Sequence, residues 1–168
     1  MELRYDSQLV VRVGVAEHTV GRAPSRMMTM ALGSCLGIVL YERESTIGAL
    51  AHVMHPRRAL VKNNSNRSKF VDTAIELIVS KMVRMGAKRS GIVAKIFGGA
   101  KMFDSIAKGG GVLQIGDENI SAAREVLKEF GIPIVAECVG GSNGRTILFD
   151  LRDGSVVVKD AFDNEEIY

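Results

Sequence analysis

Apolar and polar residues alternate over residues 9–15, a valine-rich stretch that predicts a β-strand. Residues 27–32 predict a second strand, broken by Gly33-Ser34, and residues 35–41 a third that is an almost continuous apolar run. After a polar turn at 42–45, residues 47–54 predict a fourth strand, which Pro56 stops because proline has no amide to give the ladder. The period then changes. Phe70, Ala74, Leu77, Ile78, Met82 and Met85 recur at helical spacing, with Gly86 placed to end the helix. A short strand follows at 91–97. A second helix fits 117–130, with Ile120, Ala123, Val126, Leu127 and Phe130 on one face. Its acidic start suits the positive end of the helix dipole, and Gly131 with Pro133 closes it. Residues 132–139 predict a further strand, and 146–151 with 155–159 a hairpin around Asp153-Gly154. The acidic tail, 163–168, is expected to fray.

These elements amount to about seven or eight strands and two principal helices. The strands cluster before the first helix and after the second, which predicts an α+β fold or mixed α/β sandwich rather than a regular βαβ array. The 168 residues suit a single domain, 1–168, with its core over about 9–160 and a tail at 161–168. Apolar residues make up 46% of the chain but aromatic ones only 5%, so the core must be built from Val, Ile, Leu, Met and Ala.

Charge and cysteine content narrow the function classes. A net charge of +3 is too mild to point to nucleic acid. The charged N-terminus lacks the apolar run of a signal peptide, and no stretch approaches a membrane span. The two cysteines follow no secreted disulfide pattern, so a reducing cytoplasm is expected. No coiled-coil seam is present, and a monomer is expected.

The densest chemistry surrounds Cys35, which follows Gly33-Ser34, with His52 in the next predicted strand. A cysteine nucleophile needs its thiolate, and a neighbouring imidazole can take the proton. The break before Cys35 frees backbone amides of Gly33, Ser34 and Cys35 from regular pairing, where they can hold an oxyanion. On the residues alone a second reading stands beside this one: free cysteine is among the most buried residue types and behaves as a small hydrophobe. A zinc site of Cys35, His52 and His55 is disfavoured, because 52 and 55 face opposite sides of a regular strand. Cys138 reads as core and His18 as surface. The glycines at 98–99 and 109–111 fit no phosphate-binding pattern, and no cofactor or metal is expected.

The stretch from Thr29 through Leu32-Gly33-Ser34-Cys35, followed by Gly48 and Ala51-His52, resembles the CheD family of chemoreceptor glutamine deamidases. Matches continue in order through Ala94 to Phe103, Ile115-Gly116, Ala136-Glu137 and Gly140-Gly141, over residues 10–158. The resemblance implies Cys35 as nucleophile, His52 as general base and Thr29 as the group that orients the imidazole. It implies a thioester route from receptor glutamine to glutamate, with methyl esters of receptor glutamate as a second substrate. The implied partners are methyl-accepting chemotaxis receptors and the CheC phosphatase. Gly99, Met102 and Phe103 would form the partner surface, Phe103 being readable equally as core. The alternative is an adaptor that binds CheC and tunes its phosphatase activity; a general cysteine peptidase is disfavoured. A basic run, Arg57, Arg58, Lys62, Arg67 and Lys69, either steers an acidic partner or is a solvated loop. Three positions depart from the family pattern: His55 replaces an apolar residue, Ala31 a common glycine, and Cys138 an acidic or polar residue.

Overall fold

A computed structural model describes residues 10–101 and 115–168. Its central element is β4 (Leu36–Glu42), whose seven residues are all buried. Both faces of this strand are covered, which is why it reads as an unbroken apolar run. Leu36, Ile38 and Leu40 face the helices, while Val39 and Tyr41 face a second sheet. β4 pairs antiparallel with β5 (Ile47–Val53) on one side and β6 (Ile92–Gly98) on the other. With β2 (His18–Arg22) and β7 (Ile134–Val139) these complete one five-stranded sheet, in the order β2-β5-β4-β6-β7. The second sheet runs β1 (Val10–Arg12), β3 (Arg26–Leu32), β8 (Arg145–Asp150), β9 (Val156–Asp160), β10 (Glu165–Ile167).

The helices α1 (Val71–Arg84) and α2 (Ile115–Glu129) cover the outer face of the first sheet. Three layers result: helices, sheet, sheet. Two apolar clusters fill the gaps. One lies under the helices around Ile38, Ile75, Ile78 and Leu127; the other lies between the sheets around Met27, Val39, Phe97 and Phe149. The α+β fold with mixed sheets and two helices agrees with the sequence pattern.

Four details differ from it. β2 was not foreseen, since His-Thr-Val-Gly-Arg shows no apolar alternation; its backbone pairs with β5 from His18↔Ala51 to Arg22↔Ile47. The acidic tail does not fray. β10 pairs with β9, and Tyr168 exchanges both backbone hydrogen bonds with Val156 at 2.9 Å. The first strand is shorter than 9–15, its described part ending at Arg12. On α1 the buried stripe runs through Val71, Ile75 and Val79 as well as Ala74, Ile78 and Met82, whereas Met85 is 40% exposed. No helix among the described residues is long and apolar enough to cross a membrane.

Candidate active site

Alternation along β5 sends Ala49, Ala51 and Val53 toward the helices and His52 the other way, into the gap between the sheets. The same rule sends Thr29 of β3 inward from the opposite sheet, and both side chains are 1% exposed. Their meeting is direct: Thr29 Oγ1 lies 2.7 Å from His52 Nδ1. The Thr29 hydroxyl also donates to the Val13 carbonyl at 2.7 Å. A hydroxyl has one proton, so Thr29 accepts from the imidazole, and Nδ1 carries the hydrogen. The other ring nitrogen, Nε2, is then the one with a free lone pair. It is buried and has no hydrogen-bond partner among the described residues.

Cys35 sits on the same inter-sheet side. In the β4–β5 ladder Gly37 lies opposite His52, and Cys35 is two residues before Gly37, a diagonal neighbour of His52. Such diagonal pairs are roughly 7–8 Å apart, and no hydrogen bond joins the Cys35 thiol to His52 Nε2. Cys35 is half-buried and packs against the inter-sheet cluster. Three successive carbonyls of its loop are held from one side. Ala100 N–H donates to Gly33 at 2.8 Å, Asn119 Nδ2 to Ser34 at 3.0 Å, and Gly99 N–H to Cys35 at 2.9 Å. Gly98, at φ 102°, permits this approach, since a Cβ there would lie 2.5 Å from the Cys35 carbonyl oxygen. Among the described residues no backbone carbonyl accepts from the N–H groups of Ser34 and Cys35, the Cys35 N–H facing its own thiol, while Gly33 N–H is taken by Ala31 at 3.0 Å.

Burial sets the electrostatics. It pushes the Cys35 thiol up from its ordinary range, against the pull of its own backbone N–H, which favours the thiolate. It holds His52 below the ordinary imidazole value. Both shifts favour a neutral thiol beside a neutral imidazole. Both groups therefore rest neutral rather than as a thiolate and an imidazolium.

Other residues singled out in the sequence fall in varied places. Gly99 is described, in the turn against α2, while Met102 and Phe103 lie outside the described residues. The basic run is partly spent within the chain: Arg57 pairs with Glu125 at 2.7 Å and Arg67 with Glu76 at 2.6 Å. The His55 ring stands 6.0 Å from that of Phe70, and among the described residues no three His, Cys, Asp or Glu side chains group as metal ligands. Cys138 packs at the margin of the inter-sheet cluster. His18 is a correction: it is half-buried rather than a surface residue, with Nδ1 2.7 Å from Ser68 Oγ and Nε2 2.7 Å from Lys81 Nζ. Sequence reasoning missed Val13 and Asn119. Val13 acts through its carbonyl, which no side-chain pattern signals. Asn119 interrupts the apolar face of α2 four residues after Ile115, and a polar residue on a buried stripe was the available cue.

A family model described as CheD chemotactic sensory transduction matches residues 54–160, a span that begins after Thr29, Cys35 and His52. A probable chemoreceptor glutamine deamidase CheD of Moorella thermoacetica is 46% identical over 149 residues, covering 89% of each chain. One of the same description from Caldanaerobacter subterraneus subsp. tengcongensis is 43% identical over 150 residues, covering 89% of this chain and 92% of its own. Among solved structures, a Neisseria meningitidis protein of the DUF152 family aligns at a TM-score of 0.48 and 12% identity, over 79% of this chain and 62% of that one.

Proposed function

The chain belongs to the CheD family of chemotactic sensory transduction, and from that premise we propose that it deamidates glutamine side chains of chemoreceptors with Cys35 as nucleophile. The observation that supports this reading best is the hydrogen-bond chain from Val13 through Thr29 to His52. It puts the imidazole proton on Nδ1 and leaves Nε2 basic, on the side of the sheet where Cys35 stands.

In the proposed reaction His52 Nε2 takes the Cys35 thiol proton as the sulfur attacks the side-chain amide carbon. The carbonyl π electrons move to oxygen, and the N–H groups of Ser34 and Cys35 are the donors within the loop that can hold that charge. Collapse expels the amide nitrogen, which takes the proton from His52 and leaves as ammonia. A thioester remains. Water then gives a proton to Nε2 and its oxygen to the acyl carbon, and the thiolate recovers a proton as glutamate departs. A methyl ester of glutamate follows the same course with methanol as leaving group, so methylesterase activity is proposed alongside.

The test is the intact mass of a purified chemoreceptor signalling domain incubated with wild-type protein or with Cys35→Ala. Turning an amide into an acid through an acyl-enzyme adds about one dalton per site. A gain with wild type and none with Cys35→Ala supports the reading. A gain with both removes Cys35 from the nucleophile's role. No gain with either sinks the deamidase reading, and engagement of a CheC phosphatase becomes the function to test.

A further inference from the structure

Asn119 is an asparagine where helix α2 otherwise buries alkyl groups. It is fully buried, beside Ile120, Ala122 and Ala123. Both bonds of its Nδ2 go to backbone carbonyls of the candidate site: Ser34, immediately before Cys35, at 3.0 Å, and Met54, two residues after His52, at 3.2 Å. Its Oδ1 is buried with no hydrogen-bond partner among the described residues. The side chain is used here for its two donors.

What those donors do follows from the peptide bond. In a planar trans peptide the C=O of one residue and the N–H of the next point in opposite directions. Asn119 draws the Ser34 carbonyl toward α2, so the Cys35 N–H of the same peptide points away from it. Ala100 does the same for the preceding unit: its N–H holds the Gly33 carbonyl and turns the Ser34 N–H outward. The helix can press this close because Gly116 has no side chain; a Cβ there would stand 2.5 Å from the Gly99 carbonyl oxygen. The second Asn119 bond reaches Met54, the residue that follows β5, and so ties the loop of Cys35 to the end of the strand that carries His52.

We propose that Asn119 is a positioning residue: by holding the Ser34 carbonyl it aims the Cys35 N–H at the oxyanion, and by holding the Met54 carbonyl it sets the nucleophile's loop against the strand of the base. This rests on the reading of Cys35 as nucleophile. It extends that reading to α2, which contributes no reacting group.

Two measurements on the full chain test it. In the first, kcat and KM for receptor deamidation are compared between wild type, Asn119→Ala and Asn119→Ser, with thermal unfolding recorded for each. The kcat of folded variants should fall about tenfold to hundredfold, short of the ~10²–10³ lost when an oxyanion donor is removed outright, with KM within about twofold. A lowered melting temperature with kcat unchanged would make Asn119 merely structural and overturn the proposal. The second measurement needs no receptor and no variant: amide hydrogen exchange by NMR on the wild type. The Cys35 N–H should exchange freely while that of Ile38, in mid-strand, is protected. A protected Cys35 amide overturns the proposal even if the variants fail to fold. Free exchange at Cys35 without receptor deamidation would leave the peptide orientation standing and place the failure in the assigned reaction.

Discussion

Thr29 and His52 sit on different sheets, and the 2.7 Å bond between Oγ1 and Nδ1 crosses a seam otherwise filled by Met27, Leu32, Val39 and Phe149. Thr29 in turn leans on the Val13 carbonyl, beyond the end of β1 in its own sheet. The base of the proposed site is therefore oriented from outside the sheet that carries it. The stacking of the two sheets brings that support into place.

Thr29→Val keeps the shape of the side chain and removes both bonds. Val13 O and His52 Nδ1 then lose a buried partner, so the unfolding free energy should drop by about 1–3 kcal/mol in urea titration. With the tautomer no longer held, deamidation should slow at least tenfold, about the low end of what a positioned general base contributes. Thr29→Ser keeps the hydroxyl and should recover most of the rate. A Thr29→Val protein as fast as wild type would detach Thr29 from the site.

The pH profile should follow from burial. His52 is held below its ordinary value, so it stays neutral and basic below about pH 6.5, where a free imidazole would protonate. The acid limb of kcat/KM should accordingly have its midpoint under that value. A midpoint at or above it would contradict the buried geometry.

Stability carries the same sign. His18, His52 and His55 are all lowered by burial, with Lys81 adding at His18 and Lys69 at His55. The unfolded chain therefore binds protons first as pH falls. Their contribution is fully present above about pH 6.5 and is lost progressively below it. Thermal unfolding of His52→Gln across that range should show a shallower acid loss than wild type; an identical slope would mean His52 titrates alike in both states.

Gly98→Ala crowds the loop of Cys35 from behind. The new methyl would stand 2.5 Å from the Cys35 carbonyl at a backbone φ of 102°, so the loop or the strand must move. A loss of about 2 kcal/mol or more is expected from left-handed strain and overlap together, with deamidation falling further than the folded fraction. Activity per folded molecule, from assay and circular dichroism on one sample, distinguishes a moved loop from simple unfolding.

Ala31 adopts φ 58° in the irregularity where the β3–β8 register shifts between Thr29 and Leu32. A left-handed alanine costs roughly 1–2 kcal/mol, and glycine returns part of that gain through its freer unfolded chain. Ala31→Gly should therefore stabilise the protein by up to about 1 kcal/mol in urea, with activity retained. A destabilised variant would show that the bulge needs the methyl group.

Much was legible in the order of residues alone. The run from Leu36 to Tyr41 marked the central strand because burial on both faces admits little but apolar side chains. The spacing of Ala74, Ile78 and Met82 marked α1 because a helix shows one stripe to its sheet. The loop of Cys35 stood out because a Gly-Ser break before a cysteine departs from strand chemistry. These are local regularities, repeated every two or nearly four residues, and a chain carries them without reference to its distant parts. β2 and β10 escaped for the converse reason: His-Thr-Val-Gly-Arg and Glu-Glu-Ile are held by backbone pairing to β5 and β9, which a side-chain pattern does not record. Thr29 was singled out only by what the family resemblance implies, and Asn119 was not singled out at all; their hydrogen bonds appear once the second sheet lies over the first and α2 meets the loop of Cys35. Hydrogen bonds spanning 23 and 85 residues depend on sheet stacking, register and helix docking together, and only the tertiary structure decides those.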